Sequence, residues 1–202
     1  MRAILVVDCG SKKVSSIERA VFQEGFEPRV VRMNELKDVG LKSYAAIIIS
    51  GSPTLLMEIN HDTYVELLSF IRNVSCPVWE YVFLGICFGH QVIGLVYGVN
   101  VFRGPGRRTP ETIYVVQRNR LLEGLERTFY MDEDHCEGIT LPDQFILLAR
   151  SGSYDVEAMK HRDKNVYGVQ FHPESSGELG RRIIRSFPRL CSPETLSQSS
   201  RS

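Results

Sequence analysis

Two short segments carry residue types that can do chemistry together. In Gly85-Ile86-Cys87-Phe88-Gly89 a cysteine stands between two glycines, where the apolar run Val82–Ile86 gives way to Val92, Ile93 and Val96 at helical spacing. A thiol in so sharp a strand-to-helix turn stands clear of the sheet edge, and the turn needs small neighbours because its backbone is strained and closely approached. The turn also sets the sulfur at a helix N-terminus, where the dipole and free N–H groups favour thiolate, the nucleophilic form. Alone, the pentapeptide also fits a buried structural cysteine. Phe171-His172-Pro173-Glu174 supplies what it lacks. Proline disfavours helical backbone at His172, and in extended chain His172 and Glu174 point to one side. Glu174 can then hold the imidazole tautomer while His172 accepts the thiol proton, which is the logic of an activated nucleophile with a base and an orienter. His90 is a rival base, three residues after Cys87, but a histidine on that helix is more often packed than catalytic. Cys87-x-x-His90 and His135-Cys136 lack the spacing and the second pair of a zinc finger, so no metal is expected.

The elements that must position these residues are legible as a rhythm. Ala3–Val7 is a short apolar run closed by Asp8-Cys9-Gly10-Ser11, and Val14, Ile17 and Val21 then recur at helical spacing. Arg29–Val31 and Ala45–Ile49 read as strands, and a helix from about Thr63 carries Tyr64, Leu67, Leu68 and Ile71 on one side, with Thr63 and Glu66 as its expected capping box. Val82–Ile86 is the strand that ends at Cys87, and Gly98 can stop the helix after it. Alternating strands and helices imply an α/β fold, a doubly wound, mostly parallel sheet covered on both faces. From Val99 onward the chain turns β-rich, with strands expected at Ile113–Val116, Thr128–Met131, Phe145–Ala149, Val156–Met159 and Val166–Phe171 before a last helix over Glu178–Phe187. Cys87 and His172 both follow strands, where open α/β sheets gather their ligand sites.

Composition narrows the partners. The 202 residues suit one domain, residues 1–190, with 191–202 read as a polar, serine-rich disordered tail. Its 24 basic and 24 acidic residues cancel, which gives no reason to expect nucleic acid or an anionic membrane. Five irregularly spaced cysteines, an acid as early as Asp8 and no apolar run of membrane length lead to the expectation of a soluble, reduced, cytoplasmic protein.

Leu84-Gly85-Ile86-Cys87-Phe88-Gly89-His90-Gln91 and Gly168-Val169-Gln170-Phe171-His172-Pro173-Glu174 resemble the signatures of class I glutamine amidotransferases. Within that family the chain is most similar to the glutaminase components of GMP synthases. That likeness also takes in Asp8-Cys9-Gly10-Ser11, Ser50-Gly51-Ser52-Pro53, and Leu148-Ala149-Arg150-Ser151 through Glu157-Ala158-Met159-Lys160-His161, and covers roughly residues 3 to 190. The resemblance implies a flavodoxin-like fold and cleavage of the glutamine amide through a γ-glutamyl thioester on Cys87. His172 and Glu174 would complete the triad, backbone N–H groups of Phe88 and the Gly51-Ser52 turn would hold the oxyanion, and Gln91 would contact the substrate. It also implies that ammonia passes to a separate ATP-pyrophosphatase synthetase subunit, which would amidate XMP to GMP and use the ATP and magnesium, this chain needing no cofactor of its own.

Four features depart from that pattern. Ser52 stands where the oxyanion turn has a second glycine, and would be strained if the position needs positive φ. Lys12 replaces a usual glutamine, and Trp79-Glu80-Tyr81-Val82-Phe83 looks like extra residues before the elbow strand. Met131-Asp132-Glu133-Asp134-His135 replaces a serine-histidine pair that holds the α-groups of glutamine, and its acids suit an ammonium better than a carboxylate. Two alternatives therefore stay open beside the ammonia donor, a free-standing γ-glutamyl hydrolase or peptidase-like enzyme and a non-catalytic amidotransferase-like regulatory protein.

Overall fold

The structure is a computed structural model that describes residues 3–74 and 81–191. In chain order its elements are β1 (Ala3–Asp8), α1 (Val14–Gln23), β2 (Glu27–Arg32), β3 (Tyr44–Ile49), α2 (His61–Val74), β4 (Val82–Ile86), α3 (Phe88–Val96), β5 (Val101–Arg107), β6 (Glu111–Val115), β7 (Thr128–Met131), β8 (His135–Ile139), β9 (Phe145–Arg150), β10 (Ala158–His161), β11 (Val166–Val169) and α4 (Gly177–Ser186).

Nine strands form one sheet in the order β2-β1-β3-β4-β11-β10-β9-β6-β7. The first five run parallel, and the rest continue it antiparallel. The apolar runs of β1, β3 and β4 are continuous because both faces are covered. Ile4 and Val6 pack with Ile17 and Val21 of α1 and Ile183 and Ile184 of α4, whereas Leu5 and Val7 pack with Leu67 and Ile71 of α2 and Val92 and Ile93 of α3. This is the doubly wound α/β sheet with a β-rich second half that the sequence rhythm predicts.

Differences lie at the margins. β5 and β8, which pair as a separate antiparallel ribbon, escape the sequence reading. β5 contains Gly104-Pro105-Gly106 and has an irregular register, while β8 buries His135 and Glu137 and so lacks an apolar signature. Gly104 and Gly138 are there for packing, because a Cβ at either would lie 2.5–2.6 Å from the Tyr154 side chain. The expected strand Val156–Met159 is Ala158–His161 instead, and Val166–Phe171 ends at Val169. Thr63 and Glu66 form no capping box. The helix begins at His61, Asn60 Oδ1 accepts the Asp62 N–H, and the Glu66 carboxylate accepts N–H groups of Leu36 and Lys37. Val82 and Phe83 are sheet residues paired with Ala46 and Ile47, not additional loop, while Trp79 and Glu80 lie outside the described residues, as does the tail from Ser192 on.

Candidate active site

The reactive groups and the turn beneath them hang from the carboxyl ends of β3, β4 and β11. The register Val169↔Ile86 makes β4 and β11 neighbours, so Cys87 leaves the sheet beside the chain that leads to His172. The Cys87 N–H donates to the Val169 carbonyl at 2.8 Å, tying elbow and strand together. Cys87 has φ +52 and ψ −104 and is the non-glycine residue with positive φ among the described residues. Its glycine neighbours follow from crowding. A Cβ at Gly85 would stand 2.5 Å from the Gly89 backbone, and one at Gly89 would stand 2.6 Å from the Ile49 carbonyl oxygen. Both contacts are with backbone, which has nowhere to move.

His172 is not in extended strand. It has φ −105 and ψ 87, and Pro173–Ser175 turn as a single 3-10 helix that swings Glu174 round to the imidazole. Nδ1 of His172 lies 2.7 Å from Glu174 Oε1, so Nε2 is the nitrogen left for the thiol, beside which the ring stands over Gly51. The backbone is clamped as well, the His172 N–H donating to Asp132 O, and Ser176 Oγ donating to His172 O while accepting the Asp132 N–H. Burial opposes charge on His172, but the hydrogen bonds to Cys87 and Glu174 outweigh it and raise the imidazole to about 9. The site is built to hold an imidazolium.

Gly51 closes the floor of the site. A Cβ there would meet His172 Cε1 at 3.2 Å and the Cys87 Cβ at 3.6 Å, so the bare backbone of the turn after β3 faces both reactive groups. Ser52 follows with ordinary negative φ, so the strain anticipated for a serine here is absent. Its hydroxyl accepts the Thr54 N–H, and the Glu137 carboxylate accepts the N–H groups of Leu56 and Met57, bracing this turn against β8. Above lies a cavity of about 360 Å³ lined by Ser52, Cys87, Phe88, Gln91, Arg108 and Asp134 among others, large enough for an amino-acid amide.

Gln91 shares a helix face with Cys87 and lines this cavity, but its Nε2 is already committed to Glu137 O at 2.8 Å and Gln170 Oε1 at 3.1 Å, leaving its side-chain oxygen for a ligand. Gln170 was not singled out by the sequence, though its Nε2 donates to the Cys87 sulfur at 3.6 Å. Its place in the strand-end segment beside His172 is the signal that could have found it. Arg108 was missed too, sitting in a stretch without periodicity. His90 is fully buried, its Nδ1 packed where a Gly168 side chain would be, and burial together with His135 drives it down to about 3. It is a neutral packing residue. Of the acidic segment, Asp134 lines the thiol cavity, Glu133 reaches His135, and all three acids line a neighbouring open cleft with Lys13 and Arg108.

A thiol with an adjacent imidazole and carboxylate, under bare backbone amides at the end of a parallel sheet, defines a hydrolytic or amide-transferring thiol enzyme of the flavodoxin-like type. The Glutamine amidotransferase class-I family profile matches residues 5–189, and the chain belongs to that family. Its similarity to individual members is specific. The glutamine-hydrolyzing GMP synthase subunit of Pyrococcus furiosus is 34% identical over 192 residues, covering 93% of this chain and 98% of that one. The protein of the same name from Methanocaldococcus jannaschii is 33% identical over 193 residues, covering 93% and 97%. A crystal structure of a Thermoplasma acidophilum protein, provisionally named as the corresponding GMP synthase subunit, matches with TM-score 0.79 at 27% identity over 95% of this chain and 94% of the other.

Proposed function

We propose that this chain hydrolyses the side-chain amide of glutamine at Cys87 and hands the ammonia to a separate synthetase subunit of the GMP synthase kind, an ATP-pyrophosphatase that converts XMP to GMP. The observation that carries the reading is the juxtaposition of Cys87 and the His172 imidazole over Gly51, with Glu174 2.7 Å from the far imidazole nitrogen. The names of the relatives support the acceptor.

The thiolate attacks the carboxamide carbon, and the electron pair of the C=O collects on oxygen, where the N–H groups of Phe88 and the Gly51-Ser52 turn are available as donors. Such a donor is worth about 3 kcal/mol in known oxyanion holes. The His172 imidazolium gives its proton to the departing nitrogen, the C–N bond breaks, and ammonia leaves a γ-glutamyl thioester. Water then attacks the thioester while His172 takes its proton, and glutamate departs as Cys87 regains its starting form. Glu174 keeps the imidazole in the tautomer that both steps need. Gln170, itself held by Gln91, donates to the Cys87 sulfur. Among the described residues no helix is long and apolar enough to cross a membrane, and a cytoplasmic location for the pair is part of the proposal.

The test is ammonia release from glutamine by the pure chain, alone and with a separately produced ATP-pyrophosphatase subunit, XMP, ATP and magnesium. Docking that completes the glutamine site accelerates such subunits, so marked activation is expected. Full activity alone, or preference for a γ-glutamyl peptide over glutamine, would refute the ammonia-donor reading and favour a free-standing γ-glutamyl hydrolase.

A further inference from the structure

Beside the thiol cavity lies a second cluster that amide hydrolysis does not use. Glu133, His135 and Glu157 are all buried, and one ligand atom from each lies within 4.8 Å of the others. They come from three places, the turn after β7, the start of β8 and the residue before β10, so sheet topology brings them together. The sequence expectation of no metal weighed only cysteine-histidine pairs, and neither glutamate entered it.

The chemistry of the cluster is one-sided. His135 Nδ1 lies 2.9 Å from the Glu137 carbonyl, which can only accept, so Nδ1 carries the hydrogen and the Nε2 lone pair points the other way. That lone pair meets Glu133 Oε2 at 2.8 Å. A neutral imidazole whose remote N–H is fixed by a carbonyl is the usual second-layer arrangement of a metal-ligating histidine. Neither oxygen of Glu157 has a hydrogen bond of ordinary geometry among the described residues, its polar neighbours being Ser151 and Glu133. Three lone-pair donors thus converge with no protein cation between them, a costly state unless protons or a metal ion fill it.

We infer that Glu133, His135 and Glu157 form a binding site for one divalent transition-metal ion, with zinc as the first choice. One imidazole nitrogen and two carboxylates fall within zinc's ligand set, and three protein ligands leave a position open for water. Bonds of about 2.1 Å in a tetrahedron place ligand atoms about 3.4 Å apart, so the widest pair must close by at most roughly 1.4 Å, within the reach of glutamate torsions. Entry is provided for, because Glu133 also lines an open cleft with Lys13, Arg108, Asp132 and Asp134. His135 lines the cavity that holds Cys87, so the ion would sit in the wall of the thiol site.

The thiols of Cys87 and Cys136, which line that cavity, would compete for zinc, so the test uses the Cys87→Ser chain with Cys136→Ser added, stripped with chelator. Equilibrium dialysis with zinc, followed by elemental analysis, should give one equivalent per chain, and adding Glu157→Gln should weaken uptake at least about tenfold. Cobalt in the same doubly substituted chain should show the weak visible bands of nitrogen and oxygen ligands without the strong near-ultraviolet band of thiolate ligation. No stoichiometric uptake by that chain would overturn the site and leave a proton-sharing carboxyl pair. A thiolate band, or uptake indifferent to Glu157→Gln in a chain that remains folded by circular dichroism, would also overturn it.

Discussion

Replacing Cys87 by glycine should stabilise the protein relative to replacing it by alanine, the reverse of the usual order. At φ +52, ψ −104 a side chain is forced into backbone space that L residues rarely occupy, a strain of order 1–3 kcal/mol. Both substitutions delete the thiol and its hydrogen bonds, so their difference isolates the Cβ. Alanine keeps the strain, whereas glycine relieves it at the cost of roughly 0.5–1 kcal/mol in extra unfolded-chain freedom. The net expectation is glycine ahead by about 1 kcal/mol, which for a chain of this size is roughly 2–4 °C in melting temperature. Urea titration of both variants at one pH, with the slope compared to verify a common unfolded state, measures it. Neither variant should turn over glutamine, since each lacks the nucleophile. If alanine proves the more stable by half a kcal/mol or more, the elbow is not strained, and the argument that strain presents the thiol fails.

Three further outcomes follow from the site. Glu174→Gln should lower glutaminase turnover by about two to four orders of magnitude with a smaller effect on KM, read by ammonia release, because an amide no longer stabilises the imidazolium or fixes its tautomer. The same change has a pH signature. His172, raised to about 9, contributes stability that is fully present below about 6.5 and is lost as pH rises through 9, so the loss of stability on Glu174→Gln should be larger at pH 6 than at pH 10 in matched urea titrations. Gly89→Ala should destabilise by about 3 kcal/mol or prevent folding, because its Cβ would stand 2.6 Å from the Ile49 carbonyl oxygen, and a melting temperature within about 2 °C of the parent would refute that packing account.

The parallel half of the fold was legible because its strands are buried on both faces and their apolar runs are unbroken, as in Ala45–Ile49 and Val82–Ile86. β8 was not, because it buries an imidazole and a carboxylate, and no local pattern reports a partner 81 residues away such as the Leu56 N–H on Glu137. The three residues of the proposed triad, which the structure brings together, were picked out from two short segments, yet the route by which Glu174 reaches His172 was misjudged. Proline sets the residue before it extended, but its own fixed φ also suits the first position of a tight helical turn, and the latter prevailed after His172. Gln170 and Arg108 illustrate what spacing leaves dark, since their importance lies in what stands opposite them in space.

The pairing of β4 with β11 has a consequence for how the enzyme comes into being. The thiol is made early in synthesis, but the base rides on a strand that must insert between β4 and β10 from some eighty residues later. A nascent chain that has emerged only through β10 carries Cys87 without its proton acceptor. Non-local parallel pairing of this kind closes late, because the entropy of the intervening loop must be overcome before its contacts form. On the proposed roles of Cys87 and His172, reactivity switches on at the last act of sheet assembly, and a chain stalled or cleaved before Val166 carries the thiol without its base.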